Sequence, residues 1–181
     1  ADRDGMVNGE GAAAMLLETR EQAQRRGAHV LASIAGTSAC MATERNVETL
    51  RHTIRESLRT TLSVAGWRPV DVGHVNAHGL SALEADEAEA QAIHDVLGDV
   101  PVTAMKSYFG NVGPAGCLIE LAGSVLALQH DEIPATLNYA TPDPRCPVQV
   151  VRETPLRGRI ARAVKVSFSS TGQVATVAIH R

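Results

Sequence analysis

Three short polar stretches carry the residue types that do chemistry. In "MKSYFGN", residues 105–111, Lys106 and Asn111 lead into a glycine-rich turn, and the apolar run that follows holds a single acid, Glu120. In "VGHVNAHG", residues 72–79, His78 comes directly after an apolar run. In "SFSSTGQ", residues 167–173, Ser167, Ser169, Ser170 and Thr171 offer hydroxyl donors. Each has a plain reading of its own: a turn histidine satisfied by backbone, a lysine whose stem snorkels to water, a polar hairpin turn. Their meeting at one sheet edge would say more than any one of them alone.

Two familiar chemistries fit these residues poorly. His52, His74, His78 and His94 lack the short spacings of metal ligands, and none pairs with a cysteine as in zinc sites, so no metal is expected. "GNVGPAG" could present a helix N-terminus to phosphate, but it lacks the order of a phosphate-binding loop with its terminal lysine.

The elements that must position these residues follow from periodicity. "RDGMVNGEGAAAMLLET" reads as a glycine-kinked strand pair, "EQAQRRGAH" as a short helix stopped by Gly27, and "VLASIAGTSA" as a strand. Over residues 44–65, Val47, Leu50, Ile54, Leu58 and Leu62 share one stripe of a long helix that Gly66 ends. "VGHVNAHG" is a buried strand, "SALEADEAEAQAIHDVLG" a helix closed by Gly98, "VPVTAMKS" a strand, and residues 114–130 an apolar helix. "IPATLNYATPDPRCP" is a proline-rich loop, "QVVRE" a short strand, and residues 161–181 a closing hairpin. Strands alternating with helices predict βαβ units, hence an α/β fold with a mixed, mostly parallel sheet flanked by helices. Polar tips then fall at strand C-termini, where open sheets place their sites.

Composition narrows the classes. The 181 residues are 44% hydrophobic but only 3% aromatic, so the core is built from Ala, Val, Leu and Ile. A net charge of −3 without a basic run argues against nucleic acid. No apolar run reaches about 18 residues without a charge, so no membrane span is expected. Three widely spaced cysteines fit a reducing cytoplasm rather than a disulfide framework. The opening "ADRDGMVNGEG", with charge and glycine at once, reads like a segment from within a longer protein.

Five motifs in order resemble the C-terminal part of β-ketoacyl-[acyl-carrier-protein] synthases, the thiolase-fold condensing enzymes of fatty-acid and polyketide synthesis. "DRDGMVNGEGAAAMLLE" is similar to the family's R-D-G-F-V-x-G-E-G-A-G segment. "VNAHGLSALEADEAEAQAI" resembles V-N-A-H-G-T-S-T-x-x-x-D-x-x-E-x-x-A-I, and "KSYFGNVGPAGCLIELAGSVLAL" parallels K-S-x-x-G-H-x-x-G-A-A-G-x-x-E-x-x-x-x-x-L-A-L. "IPATLNYATPDPRC" is similar to I-P-P-T-x-N-x-x-x-P-D-x-x-C, and "KVSFSSTGQVATVAI" stands where the family has N-S-F-G-F-G-G-T-N-A.

The resemblance implies the C-terminal half of a duplicated thiolase-like fold. It places the end strands of the N-terminal half plus a connection in residues 1–42 and the ketosynthase domain in 43–181. It implies decarboxylative condensation of malonyl-carrier protein with an acyl thioester, with a cysteine nucleophile upstream of the R-D-G segment, so that this chain alone is inactive. Cys40 in "GTSACMAT" is then not the nucleophile, and Cys117 and Cys146 are structural. Carried over residue by residue, His78 is an oxyanion donor and Lys106 orients a neighbouring carboxylate, Glu120. Asp86 and Glu89 hold structure. Asn111 stands where the family has a second histidine, as in related Cys–His–Asn enzymes, and Pro114 is an insertion. Leu80 and Ala82 replace two threonines that meet the pantetheine arm, and Ser169 and Ser170, after Phe168, replace Gly and the gating Phe. No cofactor is implied, because the substrates ride on the phosphopantetheine of acyl carrier protein. The implied partners are that carrier protein, the N-terminal half, and a second copy or a ketosynthase in a dimer, in the cytoplasm. The alternative is a non-catalytic partner like a chain-length factor.

Overall fold

The amphipathic stripe forms the helix α2 (Val47–Ala65), with Ile54, Leu58 and Leu62 buried. Asn46 caps its start by accepting from the Thr49 N–H at 2.8 Å, and Gly66 closes it in the left-handed conformation at φ +66°. The computed structural model describes residues 3–44 and 46–181; Ala1 and Asp2, at the start of the expected 1–42 segment, and Arg45, in the expected helix over 44–65, lie outside the described residues.

Six strands form one sheet: β1 (Ser33–Met41), β2 (His74–Asn76), β3 (Pro101–Thr103), β5 (Gln149–Val150), β7 (Arg162–Phe168) and β8 (Gln173–His180). Their order is β1-β8-β7-β2-β3-β5. β8 pairs antiparallel with both β1 and β7, and every other pairing is parallel, so five strands run one way and only β8 runs back. The chain is therefore α/β with a mixed, mostly parallel sheet.

Alternation along β7 and β2 divides the core into two layers. Val164, Val166 and Val75 pack with Ile54 and Leu58 of α2 and with Ile93 of α3 (Leu83–Leu97). On the other face Ala163 packs with Leu128 of α5 (Gly116–His130). Asn76 and Lys165, aligned across β2 and β7, lie on this second face. A polar layer thus runs between the sheet and α5.

Several elements differ from the sequence expectation. The expected strand pair over residues 3–19 does not form; the stretch is irregular, and a lone bridge joins Asn8 to Asn111. A strand needs a ladder partner, and here the backbone of 7–9 pairs only with Asn111, whose N–H donates to Val7 O at 2.8 Å. The short helix before Gly27 is present as α1 (Arg20–Arg25). The expected strand over 100–107 ends at Thr103, and Lys106 opens a one-turn helix, α4 (Lys106–Phe109). A small ribbon of β4 (Glu132–Ile133) with β6 (Leu156–Arg157) flanks the proline-rich loop. Met6, Val7, Leu16, Leu17, Val30 and Leu31 are exposed. Among the described residues no helix is long and apolar enough to cross a membrane.

Candidate active site

β2, β3 and β7 deliver their C-terminal ends to one rim. At the end of β2, Asn76 donates to Glu120 O at 2.6 Å and to Ser124 Oγ at 2.9 Å, which docks α5 onto the sheet. The chain then turns at Gly79, where φ is +53° and a Cβ would sit 2.4 Å from Ala104 Cβ, so only glycine fits. Helix α3 ties this turn from below. Glu89 accepts from the N–H of His78 at 2.6 Å and of Gly79 at 2.9 Å, and Asp86 accepts from Leu80 N–H at 2.9 Å. Burial pushes the Glu89 carboxyl up to about 7, with the two N–H donors pulling back. Both acids hold backbone.

Lys106 reaches back from α4 beneath the turn. Its ammonium donates to Glu120 Oε1 at 2.6 Å and to His78 O at 2.7 Å, and lies 3.1 Å from His78 Nδ1. An ammonium has three hydrogens and no lone pair. Nδ1 is therefore the acceptor, and the ring proton of the neutral imidazole sits on Nε2. Burial, then the charges of Lys106 and Lys165, push His78 down to about 2, so the ring is neutral at physiological pH. Its other flank packs on Phe168, ring centroids 4.3 Å apart.

Lys165 is a functional candidate that the sequence reading passed over. It is 2% exposed, and its Nζ lies 2.6 Å from Glu120 Oε2, an ion pair not aligned as a hydrogen bond. It also donates to Ala77 O at 3.3 Å and to Val166 O. Burial lowers its pKa, opposed by Glu120 and reinforced by Lys106. Glu120, fully buried, is thus held by an ammonium on each oxygen. The available signal was a lysine flanked by valines inside "RAVKVSF", a strand covered on both faces.

The structure brings His78, Lys106 and Glu120 together, with Phe168 against the imidazole. Asn111 stands apart from that cluster in its bonding: its amide donates to Met6 Sδ at 2.8 Å and accepts from Gly113 N–H at 3.2 Å. A cleft of about 650 Å³ is lined by Lys106, Asn111, Leu80 and Tyr108 among others, and by Ala77 and Gly79 on either side of His78. His78 and Glu120 themselves lie outside its lining. Ala82 occupies the residue before α3. Ser169 bonds Thr171 at 2.7 Å and Gln173 at 2.9 Å within the β7–β8 turn, and Ser170 is exposed there. Cys40 lies on edge strand β1 beside Ser38, Cys117 is exposed on α5, and Cys146 is half-buried near Arg3, burial raising its thiol pKa. Among the described residues no group of three or more His, Cys, Asp or Glu is arranged for a metal ion.

With this geometry in place, the likeness to known proteins is specific. Residues 27–140 match the family model described as "Beta-ketoacyl synthase, C-terminal domain". The chain is 39% identical over 189 residues to 3-oxoacyl-[acyl-carrier-protein] synthase 2 of Mycobacterium tuberculosis (strain ATCC 25618 / H37Rv), covering 99% of this chain and 44% of that protein. The ishigamide ketosynthase/chain length factor superimposes with a TM-score of 0.94 at 30% identity, covering 99% of this chain and 45% of that one. A type II polyketide acyl-carrier protein in complex with its ketosynthase bound to the hexaketide (AntDE:AntF) gives a TM-score of 0.84 at 27% identity, over 90% of this chain and 41% of that one. The chain thus spans about half the length of the proteins it matches.

Proposed function

The chain belongs to the β-ketoacyl synthase family, and we propose that it is the C-terminal portion of a β-ketoacyl-[acyl-carrier-protein] synthase. The whole enzyme, a 3-oxoacyl-[acyl-carrier-protein] synthase, joins malonyl-carrier protein to an acyl thioester in fatty-acid or polyketide synthesis. Both substrates arrive on the phosphopantetheine arm of acyl carrier protein. The nucleophilic cysteine lies in the N-terminal half, so these residues alone are inactive. The apolar residues exposed along 6–31 support a packed partner half. We place the enzyme in the cytoplasm, as a dimer with itself or with a second ketosynthase chain.

One observation carries the reading: a buried ammonium shared between Glu120 and His78 Nδ1 leaves Nε2–H as the only donor on a neutral ring. Breaking the malonyl C–CO₂ bond sends its electron pair into an enolate, with negative charge on the thioester oxygen. A preorganised donor aimed at that oxygen lowers the barrier. A ring held neutral stabilises the charge without surrendering its proton. The carbanion then attacks the acyl thioester carbonyl, a C–C bond forms, and the cysteine leaves as thiolate. In this scheme Lys106 orients Glu120 and His78, Asn111 and Leu80 line the approach, and Ala82, Phe168, Ser169 and Ser170 border the acyl and pantetheine side.

A second reading is a chain-length-factor-like partner that does not condense. The bonding of Asn111 favours it, since that amide is spent on Met6 and Gly113. So does the serine pair after Phe168, where the β7–β8 turn satisfies Ser169 internally. Intact-mass measurement of acyl transfer from carrier protein to the protein carrying both halves separates the two. An acyl adduct on an N-terminal-half cysteine is the expected result, and no adduct on any cysteine would overturn the first reading.

A further inference from the structure

We propose that Lys165 is a positioning residue for His78, holding the far oxygen of Glu120 so that Lys106 can divide its ammonium between the near oxygen and the imidazole. The inference rests on the functional reading above for what His78 does, and on geometry for the rest.

The two lysines act as a pair on one carboxylate and one turn. Lys106 meets Glu120 Oε1 and Lys165 meets Oε2, each at 2.6 Å. They also take consecutive main-chain carbonyls: Lys165 holds Ala77 O at 3.3 Å, and Lys106 holds His78 O at 2.7 Å. His78 is therefore fixed through its ring by one lysine and through its preceding peptide by the other. Without Lys165, Oε2 would be a buried carboxylate oxygen with no partner, which is costly. The carboxylate would turn to present both oxygens to Lys106, and the ammonium would leave Nδ1. Removing Lys165 still leaves a balanced Lys106–Glu120 pair, so the fold survives the change. The charged groups facing His78 are Lys106, Lys165, Glu120 and, through the backbone, Glu89.

The test is a double-mutant cycle in the enzyme carrying both halves, reading malonyl-carrier-protein decarboxylation. Lys165→Met should lower kcat roughly tenfold, the usual worth of a partner that orients a reactive group, with KM unchanged. In a Lys106→Met background the same change should cost less than about twofold, because the residue it acts through is gone. A wild-type kcat in Lys165→Met, or an equal penalty in both backgrounds, overturns the proposal. If the methionine variant, or the double variant that leaves Glu120 without either ammonium, does not fold, nitrogen NMR of His78 in Lys165→Gln decides: a displaced Nδ1 resonance supports the proposal and an unmoved one overturns it. If the wild-type protein does not decarboxylate malonyl-carrier protein, the functional reading falls, and positioning is judged on nitrogen NMR of His78. A displaced Nδ1 resonance in Lys165→Met then supports it, and an unmoved one overturns it.

Discussion

Lys106 lies 3.1 Å from Nδ1 of His78, and because its other two hydrogens go to Glu120 and to His78 O, the imidazole proton is fixed on Nε2. A lysine buried beside a histidine would ordinarily be a liability. Here it selects one tautomer, adds its charge to the burial that keeps the ring neutral, and fastens the turn that carries it. Glu120 makes this tolerable by standing between two ammonium groups.

That arrangement predicts an asymmetry in stability. Lys106→Met or Lys165→Met leaves one ammonium and one carboxylate, and should shift folding free energy by about 1 kcal/mol in either direction. Glu120→Gln leaves two buried ammonium groups without a counter-charge and should cost about 3–5 kcal/mol. Denaturant midpoints of the three variants decide the matter. Equal stability for Glu120→Gln and the lysine variants would show that the carboxylate is not the shared counter-ion.

Gly79 is the hinge of the same turn. Gly79→Ala incurs a left-handed penalty of roughly 1–2 kcal/mol and meets Ala104 at 2.4 Å in addition. A loss of at least about 2 kcal/mol in thermal unfolding is expected, with decarboxylation falling alongside because His78 is the adjacent residue. A variant that melts with wild type would mean that the turn relaxes freely.

Acid sensitivity follows from two neutral histidines. Burial pushes His74 to about 3 and His78 to about 2, against 6.5 for an ordinary imidazole. Below pH 6.5 the unfolded chain therefore binds two protons that the folded one refuses, so this stability is complete above pH 6.5 and drains away as pH falls. Glu89 opposes them: its carboxyl, raised from 4.5 to about 7, is protonated first in the folded state and favours folding over that window. Two protons against one leave a net loss of about 1 kcal/mol per pH unit between pH 6.5 and 5. His74, whose ring nitrogens have no hydrogen-bond partner, can be replaced without unpairing anything. In His74→Leu the slope should flatten to near zero; a slope equal to wild type would contradict the assignment.

The parts of this molecule that sequence reveals are those set by local periodicity. The α2 stripe, the glycine stops at 66 and 98, and the closing hairpin of β7 and β8 are written in spacing alone. The segment 3–19 is not, because a glycine-rich extended run becomes strand only where another strand is in register with it. Lys106 lies one element beyond its expected strand: "VPVTAMKS" alternates like a strand, but the chain breaks after Thr103 into the turn of α4. The site shows the same division. His78, Lys106 and Glu120 lie in recognisable motifs. Lys165 sits in no motif and reads as one polar residue in an apolar strand. Its importance comes from β7 lying beside β2, with Lys165 opposite Asn76, a relationship between residues 89 positions apart that no local pattern encodes.

In the proposed function, the Nε2–H of His78 stabilises the enolate formed from malonyl-carrier protein. This role is tested most directly by measuring CO₂ release from malonyl-carrier protein by the enzyme carrying both halves, with and without His78→Ala. A fall of on the order of 10²–10³-fold is expected, the usual worth of one oxyanion donor. An unchanged rate in a folded His78→Ala variant would contradict it.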